Sequence, residues 1–304
     1  MMRILLLVAT NLAIVAVLTA ILALLDRTGI LPRDTLGGHG PLLLMATAFG
    51  FGGALVSLLT SRVVAFWSTG AEVIDRPRTP EQAWLLHTVH RLSVQAGIAT
   101  PQVAIYPSAE VNAFATGPSR DKGLVAVSRG LLARMPRPQA EAVVAHEISH
   151  IANGDMVTLT LIQGVLNTFV IFAARLVGGA IDSLVRSSDD ERPAGPGFGY
   201  WIAVMVLEVV FGALATIVVM WFSRRREYRA DAGADALVGA RPMADALRFL
   251  KRDHEPSELP TAVAAFGIRG TGVAALFASH PPLEHRIAAL EGRNRTSSLA
   301  RAMS

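Results

Sequence analysis

The chain has 304 residues, 52% of them hydrophobic, and a mean hydropathy of +0.43, which is too apolar for an ordinary soluble enzyme of this length. It has no cysteine, which excludes disulfide staples, thiolate metal sites and a cysteine nucleophile together, so any metal must rest on His, Asp or Glu. The net charge is only +4 and the sequence pI about 10.1, with arginines spread over short loops, a pattern that suits an anionic membrane surface and not a nucleic-acid groove.

Residues Ile4 to Leu25 carry no charge, and about 22 helical residues at about 1.5 Å each match a hydrocarbon core of roughly 30 Å. The run continues to Asp26 and Arg27, longer than the apolar region of a signal peptide, so an uncleaved first span is expected. A second run extends from Pro41 to Trp67, with Arg62 near its end and Ala46, Gly50 and Ala54 as a small-residue stripe for close helix packing. These two spans make residues 1–67 an N-terminal membrane anchor.

Pro80 to Gly97 has helical spacing through Trp84, Leu85, Val89 and Leu92 and closes on a glycine. His87 and His90 lie three apart on it but lack an acidic third partner for a metal. Val103 to Tyr106 and Leu124 to Val127 are short β-type runs bounded by Pro and Gly. Asn112, between them, reads by itself as a turn former. The stretch Ala140 to Ala152, AEAVVAHEISHIA, contains HExxH, on a helix expected to start at Pro138. Positions four apart share a helix face, so His146 and His150 can present ring nitrogens to one tetrahedral zinc. Glu147 stands beside them, able to take a proton from the attacking water. Val143, Val144, Ile148 and Ile151 would seat the helix against a core. A catalytic zinc keeps three protein ligands and one open position, so a partner from elsewhere is required.

Two further apolar runs follow, about 157–181 and 200–222, both long enough to span. Arg175 and Glu208 place charges at membrane depth, where they should face one another or a cavity. The alternative is a hairpin buried in the soluble domain. Arg224, Arg225 and Arg226, directly after the fourth run, are the densest positive cluster and orient that end to the cytoplasm. Residues 68–156 and 223–304 then form one cytoplasmic domain of about 171 residues, interrupted by a membrane hairpin at 157–222. SRRREYRADAGAD, Ser223 to Asp235, puts Glu227 and Asp231 four apart on one helical face. Glu227 can ligate while Asp231 orients a ligand imidazole, or both can be solvated acids among arginines. Near the C-terminus, Pro281 and Pro282 in SHPPLEHRI precede a helix with Leu283, Ile287 and Leu290.

The ordered set of HEISHIANGD, two hydrophobic runs, SRRREYRADAGAD and SHPPLEHRI resembles the HtpX-type membrane zinc endopeptidases, relatives of the CAAX prenyl endoproteases, over essentially the whole chain. The resemblance implies a mainly α integral membrane protein, with transmembrane helices plus a zincin-like α+β cytoplasmic metalloprotease domain. It implies one zinc per chain on His146, His150 and Glu227, with Glu147 as base and Asp231 in support. It further implies that Asn112, in NAFATG, holds substrate backbone, and that His280 and Arg286 approach the oxyanion. The implied function is endopeptidase quality control of misfolded or damaged membrane proteins in a bacterial inner membrane. The implied partners are polypeptides and the lipid bilayer, with no nucleic acid and the oligomeric state left open.

Two rivals differ in class. An intramembrane-cleaving zinc protease would bury HExxH inside a span, whereas here the metal helix precedes the third run and begins with Glu141. A transporter or zinc-binding scaffold would account for Arg175 and Glu208, but binding alone needs no carboxylate beside the first histidine. For a protease, the strand Leu124 to Val127 is expected to offer a free edge to extended substrate.

Overall fold

A computed structural model describes residues 39–185, 196–253 and 280–302 of the protein, with side chains from Gly40 to Arg293 within those ranges. The first expected span, Ile4 to Leu25, and the loop around Asp189 lie outside the described residues. Contacts divide the chain into two units, one of Met1–Ser57 with Thr160–Val219, the other of Leu58–Leu159 with Met220–Ser304.

Among the described residues three helices are long and apolar enough to cross a membrane. They are α1 (His39–Thr69), α5 (Asp155–Val185) and α6 (Phe198–Val238), each extending beyond the run read from sequence because polar flanking residues continue the helical hydrogen bonding. In the first unit the small-residue stripe of α1 is buried: Ala46 is fully inaccessible, and a Cβ on Gly50 would come within 2.4 Å of Thr168 Oγ1 on α5. Large apolar side chains such as Leu44, Phe49, Trp201 and Leu214 stand exposed, as side chains facing lipid do. Arg175 Nη1 donates to Glu208 Oε1 at 2.5 Å and to the Ile171 carbonyl at 3.2 Å. The two charges at membrane depth therefore satisfy one another across α5 and α6, as expected of intramembrane ions.

The second unit holds a mixed sheet of β1 (Glu72–Val73), β2 (Gln102–Tyr106), β3 (Ala113–Thr116) and β4 (Leu124–Ser128), in the order β1-β2-β4-β3. β2 and β4 are parallel in register from Gln102–Leu124 to Tyr106–Ser128, and β3 is antiparallel to β4. The expectation of a free edge at Leu124 to Val127 is therefore corrected. β4 is buried along its whole length, flanked on both sides, and its unbroken apolar run is what a strand covered on both faces requires. The edge is β3.

Helices α2 (Pro80–Gln95), α3 (Arg129–Arg134), α4 (Arg137–Asn153), α7 (Ala240–Asp253) and α8 (Leu283–Ala302) complete the unit. The Thr79 side chain caps α2 by accepting from the Gln82 N–H, and Gly97, at φ 65°, ends it. The core joins Leu85, Val89 and Leu92 of α2, Val125 and Val127 of β4, and Val144, Ile148 and Ile151 of α4. Ser128 ties the end of β4 to the start of β3: its hydroxyl accepts from the Leu131 and Asn112 N–H groups and donates to the Glu110 carbonyl at 2.7 Å.

Candidate active site

The site begins with α4, whose inner face is fixed by burial. Val143, Val144, Ile148 and Ile151 are at most 8% exposed, so the helix cannot roll. The face carrying positions 146 and 150 then presents both imidazoles together. Their Nε2 atoms lie 3.1 Å apart with the rings nearly perpendicular. The helix starts at Arg137, one residue before the expected Pro138. It ends at Gly154, whose φ of 66° allows its N–H to reach the carbonyls of His150 and Ile151.

The third group arrives on α6, which runs without a break from the apolar stretch through Glu227 and Asp231. Glu227 is 1% exposed; Oε2 stands 3.5 Å from His146 Nε2 and Oε1 3.4 Å from His150 Nε2. A small-residue contact permits this approach: a Cβ on Gly233 would lie 2.4 Å from Ser149 Oγ and 2.7 Å from Ser149 Cβ, while Ala230 and Ala234 on the same helix are fully buried. The three ligand atoms are mutually within 4.8 Å, the one such group among the described residues. For a tetrahedral zinc about 2.0–2.1 Å from each donor, the ligand atoms should stand about 3.3 Å apart; the two imidazole Nε2 atoms are 3.1 Å apart, with one Glu227 oxygen 3.5 Å from His146 and the other 3.4 Å from His150. Glu227 keeps both buried carboxylate oxygens without a well-formed hydrogen bond, although His280 and Arg286 approach Oε2, so the carboxylate has lone pairs available to a metal. The donor set fits zinc.

A carboxylate stands behind each imidazole. Asp231 Oδ1 lies 3.0 Å from His146 Nδ1 and is gripped by Arg286, which donates Nε to Oδ2 at 2.8 Å and Nη2 to Oδ1 at 2.6 Å. Arg286 is 5% exposed, and its Nη1 approaches Glu227 Oε2 at 3.2 Å. Behind His150 stands Asp155, the first residue of α5, whose Oδ2 accepts from Nδ1 at 2.7 Å. In the metal-free protein burial works against a charged His150, but the Asp155 and Glu227 carboxylates outweigh it and push its pKa up to about 9. His146 is raised in the same sense: burial opposes the charge, and Asp231 and Glu227 prevail. Burial alone would raise Glu227, yet the imidazoles of His146, His150 and His280 hold its carboxyl far below the usual range. Asp231 is lowered despite burial, chiefly by Arg286.

Glu147 projects half-buried next to the pair. His280 is largely exposed, with Nδ1 2.9 Å from Glu227 Oε2. Asn112 is exposed immediately before β3, its backbone hydrogen-bonded to Ser128. His87 and His90 stay on the exposed face of α2, where His90 meets the Thr100 hydroxyl at 3.2 Å. Sequence reasoning passed over Asp155, Arg229 and Gly233. The Asn-Gly-Asp turn after HExxH was the available signal for the first, and the small residues at 230, 233 and 234 for the last.

The profile of peptidase family M48 matches residues 79–294, a range that contains all of these groups. The chain is 56% identical over 292 residues to the Protease HtpX homolog of Pelodictyon phaeoclathratiforme (strain DSM 5477 / BU-1), covering 96% of this chain and 99% of that one. It is 54% identical over 292 residues to the Protease HtpX of Tolumonas auensis (strain DSM 9187 / NBRC 110442 / TA 4), covering 95% and 99% respectively. Among solved structures it is similar in fold to the Ste24p of S. mikatae, with a TM-score of 0.59 at 18% identity, over 95% of this chain and 64% of that one.

Proposed function

The chain belongs to peptidase family M48, and on that premise we propose that His146, His150 and Glu227 hold its zinc, that Glu147 is the general base, and that Asp231 orients His146. The protein is a membrane-bound zinc metalloendopeptidase with one zinc per chain. What carries the assignment of ligands is the cluster of buried donors, one ligand atom from each of His146, His150 and Glu227 lying within 4.8 Å of the others. Zinc, when bound, supplies a Lewis acid for the scissile carbonyl and lowers the pKa of water toward about 7. Glu147, not confined by burial, takes the proton of the attacking water and delivers it to the leaving amine. No covalent enzyme intermediate is needed.

Substrate lies along β3. Among the described residues β3 pairs only with β4, and the Ser128 N–H donates to the Asn112 carbonyl at 3.0 Å. Hydrogen-bonded pairs alternate along an antiparallel ladder, so Phe114 and Thr116 bond inward and the amides of Ala113 and Ala115 face the open edge. An extended polypeptide added there is held by main-chain bonds, with little sequence preference. Asn112, exposed at the start of this edge, holds substrate backbone. His280, exposed beside Glu227, serves the developing oxyanion. The guanidinium fork of Arg286 is engaged by Asp231, which supports a role in holding that carboxylate.

Similarity to proteins named Protease HtpX supports a role for this protein in quality control. The protein degrades misfolded or damaged membrane proteins from a multi-pass position in the bacterial inner membrane, with the catalytic domain in the cytoplasm. The test is casein hydrolysis by detergent-purified protein, with zinc content measured on the same preparation. Wild type should cleave and lose activity to chelator, while Glu147→Gln should keep near-stoichiometric zinc with activity below about a tenth of wild type, since the amide cannot accept the proton. A variant above that level would remove Glu147 from the base role.

A further inference from the structure

We propose that Asp155 and Arg229 form a positioning couple for His150, fixing its ring so that Nε2 points at the metal and tying it to the helix that carries Glu227. The inference rests on the reading of His150 as a zinc ligand. Asp155 is 1% exposed, and its Oδ2 accepts from His150 Nδ1 at 2.7 Å. A carboxylate at Nδ1 selects the tautomer whose proton lies there and leaves the Nε2 lone pair free for a metal. The other oxygen, Oδ1, is 3.2 Å from Nη2 of Arg229, two residues beyond Glu227 on α6. The backbone delivers the carboxylate: Gly154, at φ 66°, turns the chain so that a residue five places after His150 returns to its ring.

The site therefore has two matching arms, His146–Asp231–Arg286 and His150–Asp155–Arg229. Of the two carboxylates, Asp155 makes the shorter contact to its imidazole. A purely structural role competes with this reading, since Asp155 is also the acid in the first turn of α5, where a helix N-terminus favours negative charge. That role needs no geometry at His150.

The test uses full-length detergent-purified protein, with Asp155→Asn, Asp155→Glu, Arg229→Gln and the double variant Asp155→Asn/Arg229→Gln. It reads zinc affinity by chelator competition, the visible spectrum of the cobalt(II)-substituted protein, and the melting temperature of the metal-free form. Asp155→Asn should bind zinc roughly 10–100-fold more weakly with an altered cobalt spectrum. Arg229→Gln should lose roughly threefold to tenfold, because its side chain is 63% exposed. The double variant should match Asp155→Asn alone, since Arg229 acts through Asp155. Asp155→Glu keeps the first-turn charge but misplaces the carboxylate, so its affinity should stay low. Wild-type affinity and spectrum in Asp155→Asn overturn the couple, as does full restoration by Asp155→Glu. A double variant weaker than Asp155→Asn by the whole Arg229→Gln factor also overturns it. If Asp155→Asn does not fold, an unchanged cobalt spectrum in Arg229→Gln overturns it, and a shifted one supports it. A wild-type chain that binds no zinc removes His150 as a ligand and the couple with it, whereas failure of the variants alone leaves the ligand assignment standing.

Discussion

Burial should keep His150 neutral at physiological pH, yet the carboxylates of Asp155 and Glu227 hold its pKa at about 9 in the metal-free protein. At pH 7 the ring therefore carries a proton that zinc must displace. Because the folded pKa lies above the unfolded value, the protonated ring stabilises the metal-free fold fully below about pH 6.5. That contribution is lost as pH rises through about 9. Zinc binding has the opposite slope. Apparent zinc affinity should rise at least about tenfold per pH unit from about 7 to 9, the raised His146 adding to the slope, and then level off, measured by competition titration across pH 6 to 10. A plateau reached already at about pH 6.5 would show that an unperturbed histidine is titrating. At this scale His146, Glu147 and His150 were legible because their relation is local: four residues on a helix fix a face. Asp155 is nearly as close in sequence, but its contact depends on the left-handed turn at Gly154, and Asn-Gly announces a turn without saying where the next side chain will point.

Two helices, α4 and α6, bring His146, His150 and Glu227 together, and Gly233 of α6 packs tightly against Ser149 of α4. An added methyl at 2.4 Å from Ser149 Oγ and 2.7 Å from its Cβ cannot be accommodated by rotating one hydroxyl, because the Cβ itself is in the way. Gly233→Ala should therefore separate the helices, destabilise the fold by about 1–3 kcal/mol and lower zinc affinity at least about tenfold by withdrawing Glu227. Ser149→Gly in the same chain should recover most of the affinity. Wild-type zinc binding by the single variant would mean that the helices are not held apart by that contact. The pairing of Glu227 with the histidines could not come from spacing, since the two segments are far apart in the chain and spacing alone left the acids as well suited to solvent. The partner for Gly233 was hidden for the same reason: a small residue shows room for a neighbour without naming it. The strands divided differently. The unbroken apolar run Leu124 to Val127 carried the signature of a central strand, whereas Ala113 to Thr116 alternates too weakly, with two alanines, to declare itself an edge.

Across the whole molecule the apolar runs were the most legible feature, because crossing lipid demands length and hydrophobicity and little else. Arg175 and Glu208 gain a partner in one another, so membrane depth and charge are reconciled. The hairpin of α5 and α6 should cross fully: tags near Arg120 and at Ser304 should report cytoplasm, and a tag near Asp189 the opposite side. A cytoplasmic Asp189 would return the hairpin to the soluble domain. The arm that ends in Arg286 also bears on how the chain is made. At about 5–20 residues per second, Glu227 emerges roughly 4–15 s after His150, and Arg286 roughly 3–12 s later still. A ribosome-bound chain thus exposes its histidine pair first, gains Glu227 only after the hairpin is complete, and receives Arg286, which grips Asp231, after both. A chain stalled or truncated before α8 carries the HExxH sequence but lacks the guanidinium that grips Asp231 beside His146.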